Sequence, residues 1–290
     1  MKYTFPLFTL CLTYLLLASS CTKNDDYFYP SPVRTLVIVS DNEPSSDVIV
    51  GLMGAVRSKF PEVQIEFFQA PAFDIYEGAY LLQITGQSFP KGTIVAGLIE
   101  PGAFGKGIVY QAGSRTYIAP DNKLSSRVLF EEPKAVCYFV ENPKVLGGLQ
   151  PEEIAFGEFY TQAILSLLSG TSLQTFGSVC KIPQVFKIQP PVIEADTIKG
   201  EVLFTDNFGN CVTNIPEKLL NGIPVGTILN FKSGTTGLSI VLGTSYSSVP
   251  VGDRVCFINS TKRLEIAINY GDFAGTYQIG ANAKVFLIKP

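Results

Sequence analysis

Along the 290-residue chain the spacing of apolar and polar positions changes character once, near residue 186. Thr35–Ser40 (TLVIVS) is apolar at nearly every position and rich in β-branched residues, which predicts a strand covered on both faces. Asp47–Lys59 has the length of a helix, with Ser45, Ser46 or Asp47 as the cap. A second strand is predicted over 63–68, a helix over 74–83, and a third strand over 93–98 that runs into Glu100-Pro101-Gly102. Such alternation predicts a mostly parallel sheet with right-handed crossovers. Shorter strands are expected over 117–119 and 135–140, then a helix over 151–169 with Pro151 in its first turn. Beyond Pro190-Pro191 the chain breaks into short strands between Gly, Asn, Asp and Pro turns: 198–205, 227–231, Arg254–Ile258, 264–268 and Lys284–Ile288. Only 216–220 suggests a helix there, and the spacing suits a small barrel or sandwich. The expected organisation is therefore an α/β domain over 34–186 and a β domain over 192–290.

The residues before 34 follow a different logic. Met1-Lys2, an apolar stretch from Phe5 to Leu17 and Ala18-Ser19-Ser20-Cys21 read as a bacterial lipoprotein signal over 1–21, too short for a membrane span. Cys21 is the expected lipidation site, and 22–33 a solvated tether. The expected location is the bacterial cell envelope, on the outer membrane, with the lipid as the membrane contact. Net charge is only −3 with no basic cluster, which gives no support to a nucleic-acid partner. Cys137, Cys180, Cys211 and Cys256 are widely spaced without any CxxC, so no metal site is expected; an oxidising envelope would permit a disulfide whose pair the spacing does not specify, and buried free thiols are the simpler reading.

The chain contains no histidine. Ser-His-Asp and Cys-His catalysis and His-ligated zinc are thereby excluded, and any chemistry must rest on carboxylates, lysine, backbone amides or the substrate. Ligands in α/β sheets bind at the carboxyl ends of strands, where Asp41 and Glu100 stand. An Asp there can accept both hydroxyls of a ribose, and a Glu can act as a base; a helix cap or solvated turn is the plainer alternative for each. Gly102-Ala103-Phe104-Gly105-Lys106-Gly107 lacks the spacing of a phosphate loop. Asp206-Asn207-Phe208-Gly209-Asn210-Cys211-Val212-Thr213-Asn214-Ile215 is denser in functional groups than a turn requires: Phe208 offers a stacking face and Asn210 a donor with an acceptor.

In this order the segments resemble the adenosine-forming S-adenosylmethionine hydrolases, relatives of the fluorinases and chlorinases. Ser40-Asp41-Asn42-Glu43, with Asp47 and Gly51-Leu52-Met53-Gly54, stands for the family's TDFG turn and glycine-bearing helix. Asp74-Ile75-Tyr76-Glu77-Gly78-Ala79-Tyr80-Leu81-Leu82 is similar to DIREGAxLL, and Phe89-Pro90-Lys91-Gly92-Thr93 through Ile99-Glu100-Pro101-Gly102 to FPKGTxxxxVVDPG. Ala119-Pro120-Asp121-Asn122-Lys123-Leu124-Ser125-Ser126 resembles GPDNGLLS, Asp206 to Ile215 resembles DRFGNxxTNI, and Ser260 to Gly271 resembles SxGxLEIAVNxG. The resemblance implies a Rossmann-like N-terminal domain, a C-terminal β-barrel, and a homotrimer with adenosyl sites between neighbouring subunits. It implies that Asp41 holds the ribose, Phe208 stacks near adenine, Asn210 contacts the ligand, and Ser260 with Asn269 lines the methionine or adenine end. The resemblance implies no cofactor and points to S-adenosylmethionine or adenosine as the ligand.

The catalytic positions depart from that pattern. Family hydrolases position water with an Asp, a following Arg, and a His from an FHGRD segment. Here Glu100 replaces the Asp, Gly107 the Arg, and Ala155 or Phe156 the His. Displacement at the ribose 5′ carbon expels neutral methionine and needs no acid, but losing general-base help costs about 10²- to 10⁴-fold. Three functions remain open: a nucleoside-binding envelope protein with weakened or lost hydrolysis, an active hydrolase or adenosyl transferase using Glu100, and a structural protein that keeps only the trimer.

Overall fold

A computed structural model of the chain describes residues 34–99 and 106–289. Cys21, with the signal and tether, and Glu100 lie outside the described residues. The first strand, β1 (Thr35–Ser40), is buried at every position because it pairs in parallel on both sides, with β2 (Gln64–Gln69) and β3 (Ile94–Leu98). Between β1 and β2 runs α1 (Asp47–Lys59), whose N-terminus is capped by Ser46 and whose Ile49, Leu52 and Val56 face the sheet. Helix α2 (Ile75–Ser88) starts at Asp74, whose carboxylate accepts from the backbone N–H of Tyr76 (2.8 Å) and Glu77 (2.9 Å).

After β3 the sheet changes direction. A hairpin of β4 (Gly107–Ala112) and β5 (Arg115–Pro120) inserts β5 parallel to β3, then β4 antiparallel to β5. The chain continues through α3 (Ser126–Glu131), β6 (Cys137–Phe139), α4 (Phe156–Leu168) and β7 (Val179–Cys180). The order is β2-β1-β3-β5-β4-β6-β7, with the β6 and β7 pairings also antiparallel. The mostly parallel sheet expected from the alternation is thus parallel in one half only, because β4 and β5 form a hairpin, which needs no crossover. Helix α4 begins at Phe156 rather than near Pro151, because buried Ile154 turns the preceding segment into the core.

The second sheet opens with β8 (Val192–Glu194), β9 (Thr197–Thr205) and β10 (Cys211–Pro216), followed by β11 (Ile228–Ser233) and β12 (Thr236–Leu242). It ends with β13 (Arg254–Ile258), β14 (Arg263–Ile268), the short helix α5 (Phe273–Tyr277) and β15 (Lys284–Ile288). Its order, β10-β14-β13-β12-β11-β15-β9, closes by β9 pairing with β10, giving a seven-strand barrel with β8 added outside β9. Ile198, Val202, Leu229, Phe231, Ile266 and Leu287 fill its interior. Residue 216 leads into a single 3-10 turn, Glu217–Leu220, where a helix was expected.

Both sheets belong to one compact unit that starts at Arg34. Tyr80 of α2 stacks on Phe204 of β9 (centroids 5.7 Å) beside Leu203 and Val212. Glu77, nearly buried, accepts a hydrogen bond from the Thr205 backbone N–H (3.1 Å). Nearby, Arg127 of α3 reaches Glu201 of β9 (3.4 Å), and Lys284 closes on the same carboxylate. No described helix is long and apolar enough to cross a membrane.

Candidate functional site

The turn between β9 and β10 is organised by one carboxylate. Asp206 Oδ1 accepts from the backbone N–H of Phe208 (2.9 Å) and of Asn210 (2.8 Å), while Oδ2 accepts from Asn210 Nδ2 (2.9 Å). Gly209 holds a left-handed φ of +78°, and a Cβ there would stand 1.8 Å from Asp272 Oδ1, so only glycine fits. Asp272 is itself fixed as the cap of α5, and Ala274 of that helix donates to the Gly209 carbonyl (2.9 Å). The tight turn therefore pushes the Phe208 ring outward, 78% exposed, and draws Asn210 inward to 4%.

Tyr246 completes the arrangement. Its hydroxyl accepts from Asn210 Nδ2 (3.3 Å) and donates to Glu265 Oε1 (2.5 Å), while Glu265 Oε2 accepts from Asn259 Nδ2 (3.0 Å). Burial, followed by the bond to Glu265, raises the Tyr246 hydroxyl well above the ordinary tyrosine range, so it keeps its proton at neutral pH. Both Asn210 amide protons are consequently engaged, by Asp206 and by Tyr246, and Oδ1 receives no bond from the described residues. Where the sequence offers donor and acceptor together, the fold leaves an acceptor alone.

Phe208, Asn210 and Tyr246 line a cavity of about 610 Å³ with Ile268, Asn269 and Tyr270. Asn269 is buried, and its Nδ2 donates to the Val249 carbonyl (2.8 Å), so it secures the rim through its donors. Tyr270 has a positive φ of 58° and is 92% exposed, which presents a second free aromatic face. The cavity has the size and apolar character of a small-molecule site. Tyr246 and Tyr270 escaped the sequence reading; the only signal for Tyr246 is a lone aromatic within Gly243-Thr244-Ser245-Tyr246-Ser247-Ser248.

Not all sequence candidates converge. Asp41 follows β1 in the first sheet, where its Oδ2 accepts from the Phe73 backbone N–H (3.0 Å) and its carbonyl from Gln69 Nε2 (3.0 Å); it does not line this cavity. Ser260 is exposed in the turn joining β13 to β14, whereas Asn269 follows the far end of β14, so the two sit at opposite ends of the hairpin. The neighbour of Ser260, Thr261, donates from its hydroxyl to Asn259 Oδ1 (2.7 Å), which helps to shape that turn.

The positions that depart from the hydrolase pattern are filled by aromatic packing. A Cβ at Gly107 would lie 2.7 Å from Phe159 Cε1 and 3.3 Å from the Tyr160 hydroxyl oxygen. Phe159 is buried and packs edge-on against Tyr160 (5.1 Å), which also meets Phe156 (4.9 Å). An arginine at 107 would require that cluster to move. A cavity of about 580 Å³ adjoins it, with Lys106, Glu141 and Glu152 as the charged described residues on its wall. Among the described residues, no cluster of three or more Cys, Asp or Glu side chains is placed to hold a metal ion.

Comparison with known proteins identifies the family. Residues 36–177 match the SAM hydroxide adenosyltransferase N-terminal domain, and residues 200–286 match the C-terminal domain of the same family. The (R)-S-adenosyl-L-methionine hydrolase of Thermus thermophilus is 25% identical over 251 residues, covering 82% of this chain and 93% of that protein. A fluorinase from an Actinoplanes species is 25% identical over 295 residues, 88% of this chain and 97% of the relative. The crystal structure of a conserved protein from Thermotoga maritima superposes with a TM-score of 0.79 at 22% identity, over 88% of this chain and all (100%) of that one. With both of its domains matched in order, the chain belongs to the SAM hydroxide adenosyltransferase family.

Proposed function

We propose that this protein binds an adenosyl or nucleoside ligand in the cavity beside Asn210, with the hydrolysis of S-adenosylmethionine to adenosine and methionine weakened or lost. One observation carries the reading: both donors of the Asn210 amide are held by Asp206 and Tyr246, so the amide meets a ligand with its carbonyl. A lone acceptor suits the exocyclic amine of a 6-aminopurine and repels the carbonyl of a 6-oxopurine. Phe208 and Tyr270 supply stacking faces. Weakened hydrolysis is supported by the Phe159 ring packed where a side chain at Gly107 would have to start. Because Asp41 belongs to the first sheet and the cavity to the barrel, the reading includes a homotrimer in which a neighbour's Asp41 meets the ribose. It also includes an outer-membrane lipoprotein anchored through Cys21, a compartment in which S-adenosylmethionine is scarce.

Calorimetric titration with S-adenosylmethionine, adenosine and inosine tests this. Adenosine should bind at least about 10-fold more tightly than inosine, the loss of roughly one buried polar pairing. Asn210→Ala should remove the preference. Equal affinities for the two nucleosides would overturn the assignment of Asn210, and sustained heat with S-adenosylmethionine would overturn the loss of turnover.

A further inference from the structure

Cys137 and Cys180 are register partners across the antiparallel β6–β7 pair. Directly opposed residues in such a pair point to the same face with Cα atoms about 4.5–5.5 Å apart, inside the roughly 4.4–6.8 Å span that a disulfide bridges. Both are buried free thiols, at 3% and 4% exposure, in the same apolar cluster. Burial, and then the neighbouring Cys180 sulfur, pushes the Cys137 thiol up to about 12. The other described cysteines have no such partner. Cys211 and Cys256 each oppose Ile266, from the two sides of β14; two strand spacings, roughly 9.5 Å, separate them, which no disulfide spans.

We propose that Cys137 and Cys180 are a disulfide site, closed by thiol–disulfide exchange with a small-molecule or protein disulfide donor. One Cys thiolate attacks the donor disulfide and releases a donor thiol. The second thiolate then attacks the mixed disulfide, forming the Cys137–Cys180 bond and releasing the second donor thiol. The protein gives up two protons and two electrons, and the donor disulfide is reduced to two thiols. High thiol pKa values and burial slow the attack in the folded state, so closure belongs to folding, before β7 docks. The bond fastens the two-residue edge strand β7, after which the chain leaves the first sheet for the barrel. This inference is independent of the ligand assignment.

To test it, the full chain is refolded in mixed oxidised and reduced glutathione, unfolded in guanidinium with N-ethylmaleimide, and digested with trypsin without reduction. Cleavage after Lys144 separates the Cys137 and Cys180 peptides. They should appear as one joined species, two hydrogens lighter than their sum, that reduction splits. In Cys180→Ser the Cys137 peptide should instead carry maleimide. Maleimide on both cysteines of the wild-type chain, or either one joined to a different cysteine, would overturn the proposal.

Discussion

A side chain at Gly107 has no room unless the Phe159 ring moves. With the Phe159 ring 2.7 Å from where its Cβ would lie, and that ring buried, Gly107→Ala forces a repacking rather than a rotamer change. We expect Gly107→Ala to cost about 1–3 kcal/mol in urea denaturation. In a Phe159→Leu background the same substitution should cost less, a coupling of at least about 0.5 kcal/mol; additive losses would mean that the ring is not the obstacle. How much of the site could be read beforehand differs residue by residue. Phe208 and Asn210 were legible because a tight turn leaves few places for a ring and an amide. Tyr246 was not, since it reaches the site from a loop distant in sequence and meets Asn210 only once the barrel has closed. Nor could residue types alone reveal that Asp206 and Tyr246 occupy both Asn210 donors.

Helix α2 is the element on which the two sheets lean, and its first turn carries an unusual carboxyl. Burial, only partly offset by the Thr205 N–H and reinforced by Asp74, raises Glu77 from 4.5 to about 7. The folded carboxyl therefore keeps its proton where the unfolded one has lost it. The native state binds more protons across that window, and stability falls as pH rises from 4.5 to about 7. The decline attributable to Glu77 should be about 2 kcal/mol. Urea midpoints of wild type and Glu77→Gln between those limits measure it: the variant should show a shallower decline, and parallel curves would remove Glu77 from the account. Elements with strong periodicity, β1 and α1, matched their expected bounds because burial on one or both faces writes itself into the pattern. Strand β12 (TGLSIVL) and helix α5 (FAGTY) were missed: the first carries a Gly and a Ser within its opening four residues, and the second is a single turn held by tertiary contacts with the Gly209 loop. The β4–β5 hairpin was half seen, and its missing half is what turned the sheet antiparallel.

Across the whole molecule, the first sheet and the barrel are joined by buried charge as well as by apolar contact. Arg127 and Glu201 have side chains only 5% and 3% exposed, and Arg127 also lies over the Tyr76 ring at 4.5 Å. Removing one partner leaves the other charged in a dry interface. Glu201→Gln should therefore cost about 3–5 kcal/mol, and adding Arg127→Met should restore part of it. A Glu201→Gln loss below about 1 kcal/mol would show that the Tyr76 and Phe186 rings and solvent already support the Arg127 charge. If Cys137 and Cys180 are joined, reduction should cost a further 2–4 kcal/mol or about that. Strand β1 carries a consequence of another kind. The chain enters the described fold at Arg34, directly into a strand that is bonded on both sides to parallel neighbours. A mechanical pull arriving along that strand would load both ladders in shear, straining their hydrogen bonds together instead of peeling them one by one. A force reaching the fold through Arg34 would thus be shared between two ladders from its first residues.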